Sequence, residues 1–425
     1  MMKKIIFIGV LMGVVLTVVV LNQLQMPEYN PERTYLDMEE AILEAFILAK
    51  DSATIQLPEG HYLFSQELSI SGKKHLTIKG MGMDKTVLSF KGQTKGAQGI
   101  IISNSQNITL ADMTIEDAAG DNLKITECDT VLIRNIRSAW TGKASTANGA
   151  YGIYPVLSNN LIIENCEAIG ASDAGIYVGQ SDQVIIRNNK AFYNVAGIES
   201  ENSTRVEIYN NEVFENTSGL LIFNLPKLTR YGHTVKAYNN TIYNNNTKNF
   251  GVKGSIVSAV PKGTGVVIMA TQNVSFFENT VKNHKTSNLS IVSYEIFAAD
   301  GDSQSNNLAN EARAQGIRAV ESDFREDNSY NPYPGNIQIS SNLFENSYRF
   351  PTLTNEYGIL MLLKNKAVIP DIVYDGILPA GATLQDDQHK ICLQENGKVN
   401  FVYMDAAHDF EDFSNDLTPF NCKFP

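Results

Sequence analysis

Several kinds of residue are scarce in this chain of 425 residues, and each scarcity excludes something. Tryptophan occurs once, histidine six times and cysteine four times. The histidines are scattered with no HxH or HExxH spacing. The cysteines, Cys128, Cys166, Cys392 and Cys422, form no CxxC pair. A built-in transition-metal centre is therefore not expected. Basic residues are also short, 34 against 46 acidic ones, for a net charge of −12. That balance disfavours nucleic acid and any anionic surface held by general attraction. Long apolar runs are absent except for Ile5–Leu21, which follows Lys3 and Lys4. Residues 1–25 read as a signal peptide or signal anchor, so the body is expected in the periplasm, at the cell surface or secreted. If the run is retained, it anchors the chain to the membrane. Helical periodicity is confined to one short stretch.

What is present is repetition. The frame "GIYVGQS" at 175–181 returns 22 residues later as "GIESENS". Related frames begin at Gly99, Asn122, Gly152 and Gly219, and looser ones at Gly265, Asn288 and Gly358. The unit is 22 or 23 residues, and the larger spacings are units with insertions. A second frame interleaves with it, as in "VIIRNNKAF" and "VEIYNNEVF". Short β-branched strands at this period, with no helices between them, predict a solenoid of stacked coils. Alternation then assigns faces. Frame position 2 points inward, as at Ile176 and Ile198. Position 7 forms an inner polar column of Ser105, Cys128, Ser158, Ser181 and Ser203. Glycine at position 1 is expected to serve a tight turn. Asn135, Asn165, Asn188, Asn210 and Asn239 are expected to stack their amides at a corner. At the N-terminal end Asp37 and Glu40 form a capping-box pattern. A helix over 37–50, with Ile42, Ala45, Phe46 and Ala49 on one stripe, is expected to cover the first coil.

The entry "DSATIQLPEGHYLFSQELSISGKKHLTIKGMGMDKTVLSF" and units such as "NNLIIENCEAIGASDAGIYVGQSDQVIIRNN" resemble the right-handed parallel β-helix proteins of the pectin-lyase-like superfamily. The units are similar to those of NosD-like proteins, of carbohydrate-binding and sugar-hydrolase repeats, and of alginate C5-epimerases. The tail "ICLQENGKVNFVYMDAAHDFEDFSNDLTPFNC" resembles that of a bacterial subfamily of unassigned function whose genes accompany c-type cytochromes. The expected fold is all-β, a single-stranded right-handed parallel β-helix with an N-terminal capping helix. It fills 26–385, with the coils themselves from about 51, and a disulfide-closed tail occupies 386–425. Cys392 and Cys422 lie after the last coil recognised in the sequence and are expected to pair, while Cys128 and Cys166 are expected to be buried free thiols.

Stacking the first-sheet frames gives one outward column of Ile101, Lys124, Tyr154, Tyr177, Glu199 and Leu221. Its neighbour runs Ser103, Thr126, Val156, Gly179, Glu201 and Phe223. On these residues the candidate catalytic groups are Lys124, Tyr154, Glu199 and Glu201, and the candidate substrate-binding groups are Tyr154, Tyr177, Phe223 and Trp140. Gly179 is expected to leave a hollow, and the insertions 138–150 and 225–233 to rise as walls around a solvent-facing sugar groove. Lys124 with Tyr154 suits proton transfer alpha to a uronate carboxyl; Glu199 and Glu201, with Cβ atoms about 7 Å apart, reach the inverting range of glycoside hydrolysis but match neither glycosidase geometry decisively. Glu199 and Glu201 alone make at most a weak calcium site, and no other cofactor is evident. Arg134, Glu164 and Arg187 alternate in sign along the second sheet and read as a surface charge ladder. The resemblance also has limits. Where the epimerases carry a catalytic "DPHD", this chain has Tyr154, Pro155, Val156 and Leu157, and no "GHG" or "RIK" of the polygalacturonases occurs. Three functions stay open: a polysaccharide lyase, epimerase or hydrolase; a noncatalytic carbohydrate-binding accessory protein; and a periplasmic assembly partner of a redox protein or metalloprotein such as a c-type cytochrome.

Overall fold

The computed structural model describes residues 25–298, 310, 313, 314 and 319–422. The apolar run Ile5–Leu21 lies outside the described residues. Among the described residues no helix is long and apolar enough to cross a membrane. The chain winds as a right-handed parallel β-helix. One typical coil consists of three strands, Ala174–Gly179, Asp182–Arg187 and Lys190–Phe192. Every first strand joins one eleven-stranded sheet, called here the first sheet. The second and third strands lie in one nineteen-stranded sheet. Gln106–Glu116 and Asp129–Ala139 run unbroken from the second face to the third and so connect them.

Register is one coil to one rung. Ile153, Ile176, Ile198, Leu220, Val266 and Leu289 lie in line on the first sheet. Each is fully buried. An inward Ile or Leu stabilises by roughly 1.5–3 kcal/mol relative to exposure, and the stack repeats this from coil to coil.

Polar ladders turn the corners. Between the first and second strands, Cys128 N–H donates to Ser158 Oγ (3.0 Å), Ser158 N–H to Ser181 Oγ (3.2 Å) and Ser181 N–H to Ser203 Oγ (3.1 Å). The second corner differs from the expectation. Asn135, Asn165, Asn188, Asn210 and Asn239 do not stack their amides; they hold the left-handed turn, with φ between 51° and 57°. The buried ladder is the next residue along: Asn189, Asn211, Asn240, Asn279 and Asn342. The side-chain oxygens of Asn211, Asn240, Asn279 and Asn342 accept from the backbone and side-chain amides of the preceding rung at 2.9–3.0 Å, and that of Asn189 accepts from Cys166 N–H at 2.9 Å. A third ladder, Asn194, Asn216 and Asn245, ends on the buried His284. Burial pushes the His284 imidazole down to about 4, so it is neutral, as an amide substitute must be. This ladder explains the frame glycine. A Cβ on Gly175 would stand 2.6 Å from Asn194 Nδ2. The glycine therefore admits a close neighbour rather than a left-handed turn.

Insertions are distributed unevenly. The corner between second and third strands is the pair 165–166, 188–189, 210–211, 239–240, 278–279 or 341–342 in every coil from Asn159 to Glu345. The corners at either end of the first-sheet strands carry residues 140–150, 224–232, 244–263, 293–334 and 346–371.

The ends also depart from expectation. The N-terminal helix spans Glu39–Ile47, with no side-chain cap from Asp37. Glu39 instead accepts from Ser65 N–H (2.7 Å) and Ser65 Oγ (2.9 Å), which fastens the helix to the first coil. Ile42, Phe46 and Ala49 are buried, whereas Ala45 is exposed. The frame at Gly358 is no strand. It lies in the helix Glu356–Lys364, capped by Asn355. Coils continue past 385: Ile391–Gln394 pairs with Gly335–Ser340, and Phe401–Tyr403 pairs with Ile372–Tyr374. Cys392 therefore sits within a stacked strand. It is disulfide-bonded to Cys422, and Cys128 and Cys166 are buried and free.

Candidate functional site

The outward columns of the first sheet stand in the expected register. Lys124 pairs with Tyr154, Tyr177 with Glu199, and Glu199 with Leu221. Val156 pairs with Gly179, Gly179 with Glu201, and Glu201 with Phe223. The predicted exposure does not hold. Tyr177, Glu199 and Glu201 are each 1% exposed, and Phe223 is 2%. The insertions do not rise as walls; they fold across the sheet as a roof. Leu225, Ile256, Val257, Phe324 and Tyr330 pack on Tyr177, Leu221 and Phe223. Polar ties hold the roof down. Tyr330 Oη donates to Asn224 O (2.8 Å), Lys227 N–H donates to Asp327 (2.8 Å), and Thr229 Oγ1 donates to Gln180 (2.8 Å). Tyr231 bonds Asp327, and Lys227 pairs with Asp323. Thr146 Oγ1 reaches Phe250 O (2.8 Å), which links the 140–150 insertion to the roof. None of this packing repeats with the coil period, so the pattern that located the columns carried no sign of it.

The hollow at Gly179 is filled as well. A Cβ there would lie 2.2 Å from Tyr177 Oη, so the tyrosine lies over the glycine. Tyr154 and Tyr177 are not parallel. Their centroids are 4.9 Å apart at 80°, and Tyr151 completes a trio at 4.5 and 4.8 Å. Trp140 lines no groove. It is buried, and its Nε1–H donates to Ala118 O at 2.9 Å. Phe223 is likewise enclosed and offers no ring face to a ligand.

Beneath the roof three carboxyl groups, Asp173, Glu199 and Glu201, share a nearly dry space beside the tyrosines. Tyr151 Oη donates to Asp173 at 3.4 Å. Burial, then the charges of Asp173 and Glu201, hold the Glu199 carboxyl well above the ordinary carboxylate range. Its Oε1 has no hydrogen-bond partner among the described residues. Burial and the neighbouring negative charges thus favour the protonated form of Glu199. Asp173 and Tyr151 were missed in the sequence because they fall just outside the two columns. Asp173 precedes the frame that starts at Gly175, and Tyr151 precedes Gly152.

At the N-terminal rim the site is more open. Tyr154 is half-buried, and the Lys124 ammonium lies 4.8 Å from its ring centroid and 3.9 Å from Asp121. Burial, opposed by Lys124 and by a hydrogen bond from Gln98, pushes the Asp121 carboxyl up to about 6. Among the described residues no group of three His, Cys, Asp or Glu side chains is arranged to hold a metal ion. On the second sheet Arg187 binds Glu164 as the charge ladder predicted. That column continues as stacked Tyr209, Tyr238 and Phe277, 4.8 and 5.0 Å apart.

The family model described as "Right handed beta helix region" matches residues 70–227 and 147–369. A search of curated proteins gave no match. Among solved structures, the A-module of a mannuronan C-5 epimerase of Azotobacter vinelandii is 15% identical, with a TM-score of 0.44. That match covers 84% of this chain and 89% of the module. The Dettilon tailspike protein is 14% identical, with a TM-score of 0.45, over 87% of this chain and 66% of that one. An exopolygalacturonase of Thermotoga maritima is 12% identical, with a TM-score of 0.39, over 70% and 71%.

Proposed function

Because the chain belongs to the right handed beta helix family, we propose that it is an extracytoplasmic protein that binds polysaccharide at the first sheet and transfers protons to it there. The observation that carries this reading is the carboxyl cluster. In the next two coils the same two columns hold Leu221 and Phe223, then Val267 and Met269. Apolar residues thus suffice for the stack. Glu199 and Glu201 put carboxyl groups into that dry layer at a cost, and such groups mark working sites more often than structural ones. Lys124 and Tyr154 at the rim receive the glycan. Glu199 supplies the acid, and Asp173 and Glu201 keep its proton in place. Lyase, epimerase and hydrolase chemistry all need such a proton donor. The test is a panel of acidic and neutral polysaccharides scored for new reducing ends, unsaturated uronates and inverted uronates. The expected result is a product with the parent and none with a folded Glu199→Gln variant. Turnover undiminished in that variant overturns the assignment.

A second reading is favoured by the roof, which buries Glu199 and Glu201. On that reading the protein is a noncatalytic carbohydrate-binding accessory, and only the Lys124–Tyr154 rim meets the glycan. It predicts affinity without turnover, lowered by Tyr154→Ala and indifferent to Glu199→Gln. Neither turnover nor affinity leaves the assembly-partner reading.

A further inference from the structure

The stretch just after the N-terminal apolar run is part of the fold. Met26 packs against Ala139, Ile169, Phe192 and Phe214, which close the third strands of successive coils. Gln25 and Pro27 line a cleft there with Arg137 and Phe192. Pro27 O accepts from Gly142 N–H at 2.8 Å, the Lys91 ammonium lies 5.2 Å from the Tyr29 ring, and Arg33 bonds the buried Glu116. Residues 25–33 are therefore a strap on the third face. It is fastened to the flank of the solenoid, near the middle of the stack rather than at either end. Only Asn22, Gln23 and Leu24 separate it from Leu21, where the apolar run stops. Fully extended, the chain from Leu21 to Gln25 spans at most about 14 Å.

This face suits a flat neighbour. No insertion rises from the corner between second and third strands in any coil from Asn159 to Glu345. Beyond the strap Phe192, Phe214 and Tyr243 stack at 5.0 and 5.1 Å, and Tyr193 and Tyr243 are half-buried. Tyrosine, with an apolar body and a polar tip, suits the boundary between membrane and water. Charges pair off: Arg137 bonds Glu167 at 2.7 Å, and Lys190 lies 3.8 Å from Glu212. Glu28, Glu32 and Glu215 add negative charge, so charge alone does not draw this face to anionic lipid, and the covalent link must hold it. We propose that Ile5–Leu21 stays in a lipid bilayer and that its short link to Gln25 lays the third face against the membrane surface. The solenoid axis then runs along the membrane, and the first sheet with its insertions is turned away from it.

The test uses the full chain in phosphatidylcholine vesicles, a fraction of whose lipid carries a nitroxide quencher on the headgroup. A thiol-reactive fluorophore is placed on the third face at Lys190→Cys or on the roof at Arg325→Cys; the native Cys128 and Cys166 are buried. The expected result is emission quenched at residue 190 and unquenched at residue 325. A linker of about twelve Gly and Ser residues inserted after Leu21, with an r.m.s. reach of about 20 Å, should abolish the quenching at 190 while the chain stays with the vesicles. A mature chain that begins after Leu21, read by intact mass, overturns the proposal. So does emission at 190 that is unquenched in the membrane-bound parent, or quenching at 325 equal to that at 190. Quenching at 190 that survives the linker overturns it too, because the short link would then not set the orientation. No glycan enters the test, so none of these outcomes bears on the carboxyl cluster.

Discussion

Two sets of buried polar side chains lie on opposite faces of the same first-sheet coils. Inside, the Ser column that includes Ser181 and Ser203 and the Asn column that includes Asn189 and Asn211 run from coil to coil, and each rung's donors meet the next rung's acceptor. Outside, Glu199, Glu201 and Asp173 occupy two adjacent coils, with Leu221 and Phe223 directly following in register. Burial alone therefore does not decide what a polar group costs. Repetition along the stack supplies the inner groups with partners, whereas the outer group is confined to one place, and one carboxyl oxygen of Glu199 has no hydrogen-bond partner among the described residues. The inner set is explained by folding; the outer set needs another reason, and catalysis or binding is the reason proposed above.

The contrast can be broken by experiment. The largest effect is expected from Ile198→Asp, which puts a charge into the inner column with no partner; a loss of about 4–5 kcal/mol or outright misfolding should appear in thermal melts. A variant that melts like the parent would refute the inner column. The outermost coil has a neighbouring coil on one side only; there the amide ladder ends on Asn396, and a disulfide adds a covalent tie. Replacing Cys392 and Cys422 by Ser should lower stability by roughly 3–4 kcal/mol, from the 30-residue separation and chain entropy, as read by denaturant unfolding. Asn211→Ala deprives the Asn189 backbone and side-chain amides of their acceptor. It should cost about 2 kcal/mol, and Asn211→Asp should not restore that stability, because the carboxylate that accepts from Asn189 cannot donate to Ile186 O.

The smallest effect should have the opposite sign. Glu199 has a folded-state pKa raised above its unfolded value. Its burial is therefore tolerated best below the unfolded value, about pH 4.3, and stability is lost as pH rises toward the folded value. Glu199→Gln should melt higher than the parent at pH 8, by the equivalent of about 1 kcal/mol or more, and the gap should narrow toward pH 5. A gap independent of pH would mean that Glu199 does not hold its proton, and the two polar sets would then differ less than described.

Much of the stack was legible in the sequence because the coil period and strand alternation act locally. The first-sheet columns from Ile101 to Leu221 could be read residue by residue. The Asn corner was misread by one position, since the units at 188, 210 and 239 write Asn twice, and only three dimensions tell the left-handed turn at Asn188 from the buried amide at Asn189. "GILMLLK" at 358 was read as a strand, although a short apolar run suits a helix equally well, and Asn355 starts one there. The roof was invisible because residues such as Phe324 and Tyr330 reach Leu221 and Phe223 across about a hundred positions of sequence with no period to announce them. Exposure at Tyr177, Glu199 and Glu201 was misjudged for that reason alone.

The two-residue Asn corner gives the molecule a spine and a belly. Along the spine chain length is fixed, since any added residue would break an amide ladder that passes from rung to rung. Along the belly, length is free, and every long insertion from 140–150 to 346–371 emerges at one of the two corners that open on it. New surface can thus be added without renegotiating the scaffold, provided that it enters on that side. A tag or foreign loop placed after Phe223 or Tyr243 joins a place where the fold already accepts extra chain, whereas the same loop between Asn188 and Asn189 severs the spine.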